Sequence, residues 1–397
     1  MSKIIAVNSG SSSLKFQLFQ MPEETVLTSG VAERIGQAMG VFTINVNGEK
    51  IKTEVAIPDH QVAVDLLLDA LVKHGIVNSL DEIKGAGHRI VQGGPYFSSS
   101  VKVDEDVVAK VDELCALAPL HNPAHLVCYK AFVNALPQIG HVFVFDTAFH
   151  QTMEPESFIY PVPYEWYTDY KVRKYGAHGT SHQYVMNRTA ELLGKKPEEL
   201  NILTCHLGNG ASITAIKNGK VINTSMGLSP LGGIMMGTRC GDIDPTVVYY
   251  MEEKLGCTPE EMDTYLNKKS GMLGLSGISS DARDIQAAID AGNERAILTH
   301  KVYINKAINL IGGYFMQLGH VDAMSFTAGL GEHAVEVRED ILKGLEEGMG
   351  LKIDYALNAK THSEAKISLD GSKVDVFVVP TNEELVIARD TVRLLGL

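Results

Sequence analysis

Two α/β domains built on one duplicated pattern, with a ligand cleft between them, form the fold class this sequence predicts. Three observations carry that reading. The chain has 397 residues, too many for one comfortable core and enough for two. Segments with the period-2 alternation of strands interleave with segments of helical period in both halves. A strand, Gly-rich turn, strand pattern also occurs twice, with Gly208 standing half the chain length after Gly10.

The elements follow in order. Ile4 to Val7 form an apolar run, and Leu14, Phe16 and Leu18 alternate with Lys15 and Gln17, so the two strands flanking "NSGSSS" make a hairpin. Its turn is either a plain Gly/Ser connection or a cradle for an anion, with Ser11, Ser12 and Ser13 as hydroxyl donors and Lys15 as the charge. It is not a Walker A loop, because strand residues and not a helix follow the lysine. Further strands are predicted at 25–31, 41–46 and 51–57. An amphipathic helix then opens on Asp59 and stops at Gly75. A strand at 86–91, helices near 104–117 and 123–134, and the strand "HVFVFDT" close a first domain at residue 150. Residues 151–176, rich in Pro, Tyr and Glu without a period, read as a crossing. "NILTCHLGNGASITAIKNGKVINTS" restarts the strand pattern. Helices near 245–255, 259–269 and 293–318 and strands at 322–327 and 374–379 fill a second domain, 151–383, and a final helix, 384–397, returns to complete the first.

Composition narrows the function. A formal net charge of −13 argues against a nucleic-acid or anionic-membrane surface, so an anionic ligand must meet locally placed cations or a metal. Five scattered cysteines without CxxC spacing signal neither a disulfide framework nor a zinc site, and fit a reducing cytoplasm. No export-signal pattern and no long apolar span is expected.

Polar groups cluster where strands end, the usual place for ligands in α/β sheets. In "GHRIVQGG", Arg89 interrupts an apolar run and suits bidentate capture of a carboxylate or phosphate. In "FVFDTAFH", Asp146 ends a strand, where it can serve a nucleophile, a metal or the cap of the next turn. His178 in "YGAHGTSH" is flanked by small residues that leave its ring accessible, although a lone His is more often structural. "LGGIMMGTRCGDIDP" presents Arg239 in an irregular loop. "FTAGLGEH" offers a Gly-rich turn into a helix, suited to a nucleoside or phosphate, and "VVPTNEEL" sets Glu383 at a helix start, suited to Mg²⁺ through water. Together these are the parts needed for phosphoryl transfer.

With "PLHNP", "HLGNGAS" and "SGISSDARD" added, the ordered motifs resemble the acetate kinase (acetokinase) family from end to end. The resemblance implies the duplicated βββαβαβα, ribonuclease H-like fold shared with sugar kinases, actin and Hsp70 ATPase domains. It also implies a homodimer and Mg²⁺-dependent transfer, with Mn²⁺ as a substitute, of a phosphoryl group between ATP and acetate, giving ADP and acetyl phosphate. It assigns Asn8 and Glu383 to the metal. Lys15, His206, Leu207, Gly208, Asn209 and Gly210 fall to the nucleotide phosphates. Asp281, Ala282, Arg283, Gly329, Leu330, Gly331, Glu332 and His333 fall to the nucleoside. Arg89, Val91, Leu120 and Pro230 surround acetate; Asp146, His178 and Arg239 are the catalytic set. Because acetate is already an anion, orientation and electrostatics suit Asp146 better than proton transfer. Ala177 stands where many members carry Phe, and Cys240, Gln92, Pro95 and His333 also depart from the common pattern, which leaves acyl-chain preference open. A propionate or short-chain fatty acid kinase is the alternative of the same fold. An actin- or Hsp70-like nucleotide switch is the alternative of another class.

Overall fold

The computed structural model describes residues 2–397. The chain divides into two compact units, Met1–Phe149 with Asn382–Leu397, and His150–Thr381.

In the first unit, β1 (Ser2–Gly10), β2 (Ser13–Met21), β3 (Thr25–Glu33), β4 (Gly40–Val46) and β5 (Glu49–Val55) form an antiparallel meander. Helix α1 (His60–Lys73) follows, its first turn capped by Asp59 Oδ1, which accepts from the Val62 N–H at 2.9 Å. Then come β6 (Ile83–Ile90), β7 (Val101–Lys102), α2 (Glu105–Glu113), α3 (Asn122–Ala135) and β8 (Gly140–Phe145). The sheet order is β5-β4-β3-β2-β1-β6-β8-β7.

The second unit opens with α4 (Pro155–Phe158), α5 (Tyr164–Tyr170) and α6 (Gly179–Leu192), followed by β9 (Asn201–Leu207), β10 (Ala211–Lys217) and β11 (Lys220–Thr224). Helices α7 (Thr246–Leu255), α8 (Pro259–Lys268), α9 (Gly271–Ser276), α10 (Ala282–Asp290) and α11 (Glu294–Leu318) precede β12 (Ala323–Thr327). The unit ends with α12 (Ala328–His333), α13 (Val335–Met349), α14 (Tyr355–Asn358), β13 (Ala365–Lys366) and β14 (Asp375–Val378), in the sheet order β11-β10-β9-β12-β14-β13. Helix α15 (Glu383–Leu395) then packs on β6, β1 and β8 of the first unit. Gly87 makes room for it: a Cβ there would lie 2.4 Å from both Ile387 Cγ2 and Thr391 Oγ1.

The duplication is explicit in the pairing. β1 is antiparallel to β2 and parallel to β6, which is parallel to β8. β9 repeats this with β10, β12 and β14. Both hairpin turns therefore leave their sheets at equivalent positions.

Two stretches differ from the sequence expectation. Residues 151–176 are no bare crossing but part of the second unit, with α4 and α5 ordered around Arg173, whose guanidinium lies 3.5 Å from the centre of the Phe158 ring. Helix α6 lacked an apolar signal because much of the face it buries is polar: Thr180, Ser181, His182 and Thr189.

Candidate active site

The first unit gathers charge. Arg89 lies near the end of β6, and Asp146 directly follows β8, its N–H donating to the Ile90 carbonyl at 2.9 Å. Arg89 Nε donates to Asp146 Oδ1 at 2.9 Å and Nη2 to Oδ2 at 2.6 Å, a fork-like pairing in which Asp146 is 1% and the Arg89 side chain 19% exposed. Burial works against the guanidinium charge, but Asp146, Glu383 and Glu384 more than offset it and hold Arg89 above its ordinary value. Both carboxylate oxygens of Asp146 are thus engaged by one arginine. The cap assigned to Asp146 as one option is not its role here.

Glu383 begins α15, whose N-terminus is capped by Asn382 Oδ1 accepting from the Leu385 N–H at 3.1 Å. Burial pushes the Glu383 carboxyl up to about 7, with Asp146 and Glu384 adding and Arg89 and Lys15 opposing. Asn8 and Lys15 are register partners across the hairpin, so their side chains share one face of the sheet. The turn is held by His60, unmarked in the sequence reading, whose Nε2–H donates to the Gly10 carbonyl at 2.8 Å. Val91 is buried and Leu120 is 51% exposed. Among the described residues no three His, Cys, Asp or Glu side chains are grouped as a metal cage. The crowded carboxylates around Glu383, all oxygen donors, fit a hard divalent cation that keeps water and phosphate ligands.

The second unit gathers neutral donors. His178 precedes α6 with φ 62°, a left-handed backbone uncommon for a residue with a side chain and typical of functional positions. Its ring stacks on His206 at 4.0 Å between centres, and its Nδ1 lies 2.9 Å from Ser212 Oγ. His206 Nδ1 lies 2.8 Å from Ser181 Oγ, which is 2.8 Å from Thr381 Oγ1. Leu207 ends β9 inside the apolar core, and the Gly208 N–H donates to the Gly210 carbonyl at 3.1 Å, closing a tight turn. A Cβ on Gly210 would lie 3.3 Å from Arg239 Nη1 and 3.4 Å from His178 Nε2, so guanidinium and imidazole meet over this turn. Arg239 Nη1 also donates to the Pro230 carbonyl at 3.3 Å. At Gly237 a Cβ would lie 1.9 Å from Asn209 Oδ1, which explains the glycine before Thr238 and Arg239. Ala177 is buried in the unit's apolar cluster.

Beside this turn lies a cavity of about 770 Å³ with Asn209 among its walls. Asp281, Ala282 and Arg283 from the start of α10 line one part, Gly329, Leu330 and His333 from α12 another, with Met272, Ile285 and Tyr303 as apolar wall. Gly331 is buried beneath, and Glu332 turns back so that its Oε1 accepts from the Ala328 N–H at 2.8 Å. Arg338, fully buried and also unmarked in the sequence reading, pins this segment by donating to the Gly331 and Glu332 carbonyls at 3.0 and 2.8 Å. A cavity of this size with an apolar wall and few polar groups suits a nucleoside-sized ligand.

The repeated sheets, the Gly208–Gly210 turn beneath Arg239 and His178, and this cavity define a kinase of the duplicated α/β class. The acetokinase family model matches residues 3–389. The chain is 56% identical over 397 residues to an acetate kinase of Geobacillus sp. (strain WCH70), covering all of both chains. It is 55% identical over 394 residues to the acetate kinase of Bacillus subtilis (strain 168), covering 99% of this chain and all of that one. The crystal structure of Porphyromonas gingivalis acetate kinase superposes with a TM-score of 0.95 at 44% identity over all of both chains. A propionate kinase from Francisella tularensis superposes at 0.94 with 39% identity, covering 99% of this chain and all of that one. The chain belongs to the acetokinase family, and its fold is the two-domain α/β fold of those structures.

Proposed function

We propose that this enzyme transfers a phosphoryl group reversibly and directly between ATP and acetate, with Mg²⁺, giving ADP and acetyl phosphate. The observation that carries the reading is the Arg89–Asp146 pair: a guanidinium oriented by a buried carboxylate at the strand ends, as an anionic acceptor requires. Full-length likeness to acetate kinases supports acetate as that acceptor.

Arg89 holds the acceptor carboxylate, with Val91, Leu120 and Pro230 around its methyl group. Asp146 keeps Arg89 in place; engaged as it is, it acts by position and not as a base. Arg239 and His178, converging over Gly210, stabilise the moving phosphoryl oxygens. Lys15 and residues 206–210 face the nucleotide phosphates. Asp281 to Arg283 and Gly329 to His333 enclose the nucleoside, a reading supported by the cavity they line. Asn8 and Glu383 would hold Mg²⁺ or its waters. When bound, the metal supplies charge neutralisation to the phosphates. Two copies of the chain form the working assembly, in the cytoplasm.

Acetate-dependent ADP release, with the acyl phosphate trapped as a hydroxamate, tests the reading. ADP release without a trappable acyl phosphate overturns it.

A further inference from the structure

Behind His178 runs a chain of buried polar groups that the catalytic assignments leave unused. Thr204 Oγ1 on β9 lies 2.7 Å from His182 Nδ1, His182 Nε2 lies 2.7 Å from Ser212 Oγ on β10, and Ser212 Oγ lies 2.9 Å from His178 Nδ1. Thr204, His182 and Ser212 are all 0% exposed. His178 immediately precedes α6 and His182 lies in its first turn, and both rings meet the Ser212 hydroxyl on β10.

The proton count gives this chain a direction. Burial, with His150 and His206 adding, holds His182 well below its ordinary value, so it is a neutral ring with one N–H. Among the described residues the Thr204 hydroxyl meets only His182 Nδ1. If His182 donated there, the buried Thr204 proton would lack an acceptor, which is costly. Thr204 therefore donates to Nδ1, and His182 carries its proton on Nε2 and donates to Ser212. Ser212 has one proton and two imidazole neighbours; accepting from His182, it donates to His178 Nδ1. With Nδ1 accepting, the His178 ring carries its proton on Nε2, the nitrogen beside Gly210 and Arg239.

We infer that Thr204, His182 and Ser212 are positioning residues that fix His178 as its Nε2–H tautomer, presenting a hydrogen-bond donor to the phosphoryl oxygens. The inference rests on the reading of His178 as a phosphoryl-facing group. The reverse orientation would put the proton on Nδ1 and turn a lone pair toward those oxygens.

Histidine-selective ¹⁵N labelling of the whole enzyme without ligands reads the tautomer directly, because protonated and unprotonated ring nitrogens resonate far apart. The expected wild-type result is an unprotonated Nδ1 and a protonated Nε2 at His178; a protonated Nδ1 with a bare Nε2 overturns the inference. Thr204→Val removes the terminal donor without touching His178, and Ser212→Ala removes the link. Each should give a mixture of tautomers at His178. In Thr204→Val kcat should fall about 10- to 100-fold with both KM values held, less than the ~10⁴ seen when a catalytic histidine is wholly misassigned. A role limited to packing predicts an unchanged His178 tautomer in Thr204→Val, and that result overturns the inference even if Ser212→Ala does not fold. A tautomer shift with kcat intact upholds the chain's direction and instead overturns the phosphoryl-facing reading of His178.

Discussion

The hairpin of β1 and β2 and the hairpin of β9 and β10 occupy equivalent places in two sheets that share the order of six matching strands, yet their surroundings are opposite in kind. The first turn sits in a unit that carries ionisable groups close by, Lys15 on β2, Arg89 on β6, Asp146 after β8 and Glu383 at the start of α15. The second is backed by His178, His182, His206, Ser181, Ser212 and Thr204, a set of imidazoles and hydroxyls. Duplication preserved the backbone frame and let the two chemistries diverge. One half suits anchoring an anion and a cation; the other suits aiming hydrogen bonds at charge that develops only during transfer.

The largest break in that contrast is expected from the arginines. Arg89→Ala and Arg239→Ala should each lower kcat/KM for acetate by about 10²–10³ or more, the usual cost of losing one transition-state donor. They should differ in stability. Arg89→Ala strands the buried Asp146 carboxylate, which typically costs about 3–5 kcal/mol. The double variant Arg89→Ala/Asp146→Ala should regain much of that stability in denaturant titrations and none of the turnover. Recovery of turnover there would mean that Arg89 serves the fold alone.

Next in size is the metal. Glu383→Gln should weaken apparent Mg²⁺ affinity roughly 10- to 100-fold, with partial recovery of rate at high magnesium. Burial holds the Glu383 carboxyl near 7, and only its ionised form attracts a cation. Mg²⁺ affinity in the parent should therefore rise from pH 6 to pH 8, with proton release on binding, and Glu383→Gln should flatten the rise. Parallel magnesium titrations of parent and variant at both pH values check this; identical curves remove Glu383 from the metal site.

The smallest effect concerns acyl length. If residue 177 bounds the acyl group, Ala177→Phe should lower the ratio of kcat/KM for propionate over acetate, by an amount set by the ~1–3 kcal/mol that one methylene is worth in an apolar pocket. Because Ala177 is buried, the larger ring also overpacks the second unit, at about 1–3 kcal/mol of stability. An unchanged ratio with intact acetate turnover would show that residue 177 does not set the acyl limit.

The charged half was the more legible in sequence. Arg89 on an apolar strand demanded an anion, and Asp146 at a neighbouring strand end is that partner. The strands and α1 were legible because their apolar residues keep period 2 or 3.6 and Asp59 marks a cap. The neutral half hid its chemistry inside regular elements. Thr204 and Ser212 occupy fully buried strands, where a small hydroxyl reads as packing, and α6 buries hydroxyls and a histidine where the periodicity rule looks for Leu. His178 and His182 at helical spacing were the available signal. The segment around Arg173 escaped for a similar reason: its order comes from a cation over an aromatic ring, which leaves no period.

The return of α15 to the first unit bears on how the molecule comes into being. Residues 382–397 pack against β1, β6 and β8, whose last residue is Phe145, and the whole second unit is made in between. At about 5–20 residues per second of synthesis, the first sheet must wait on the order of ten seconds or longer for the helix that covers it. During that interval the face formed by Gly85, Gly87 and Gly140, which in the finished fold receives Leu395, Ile387 and Thr391, has no partner from its own unit. The glycines that let α15 seat closely also keep that waiting surface poor in side chains, and so give a stray chain less to grip.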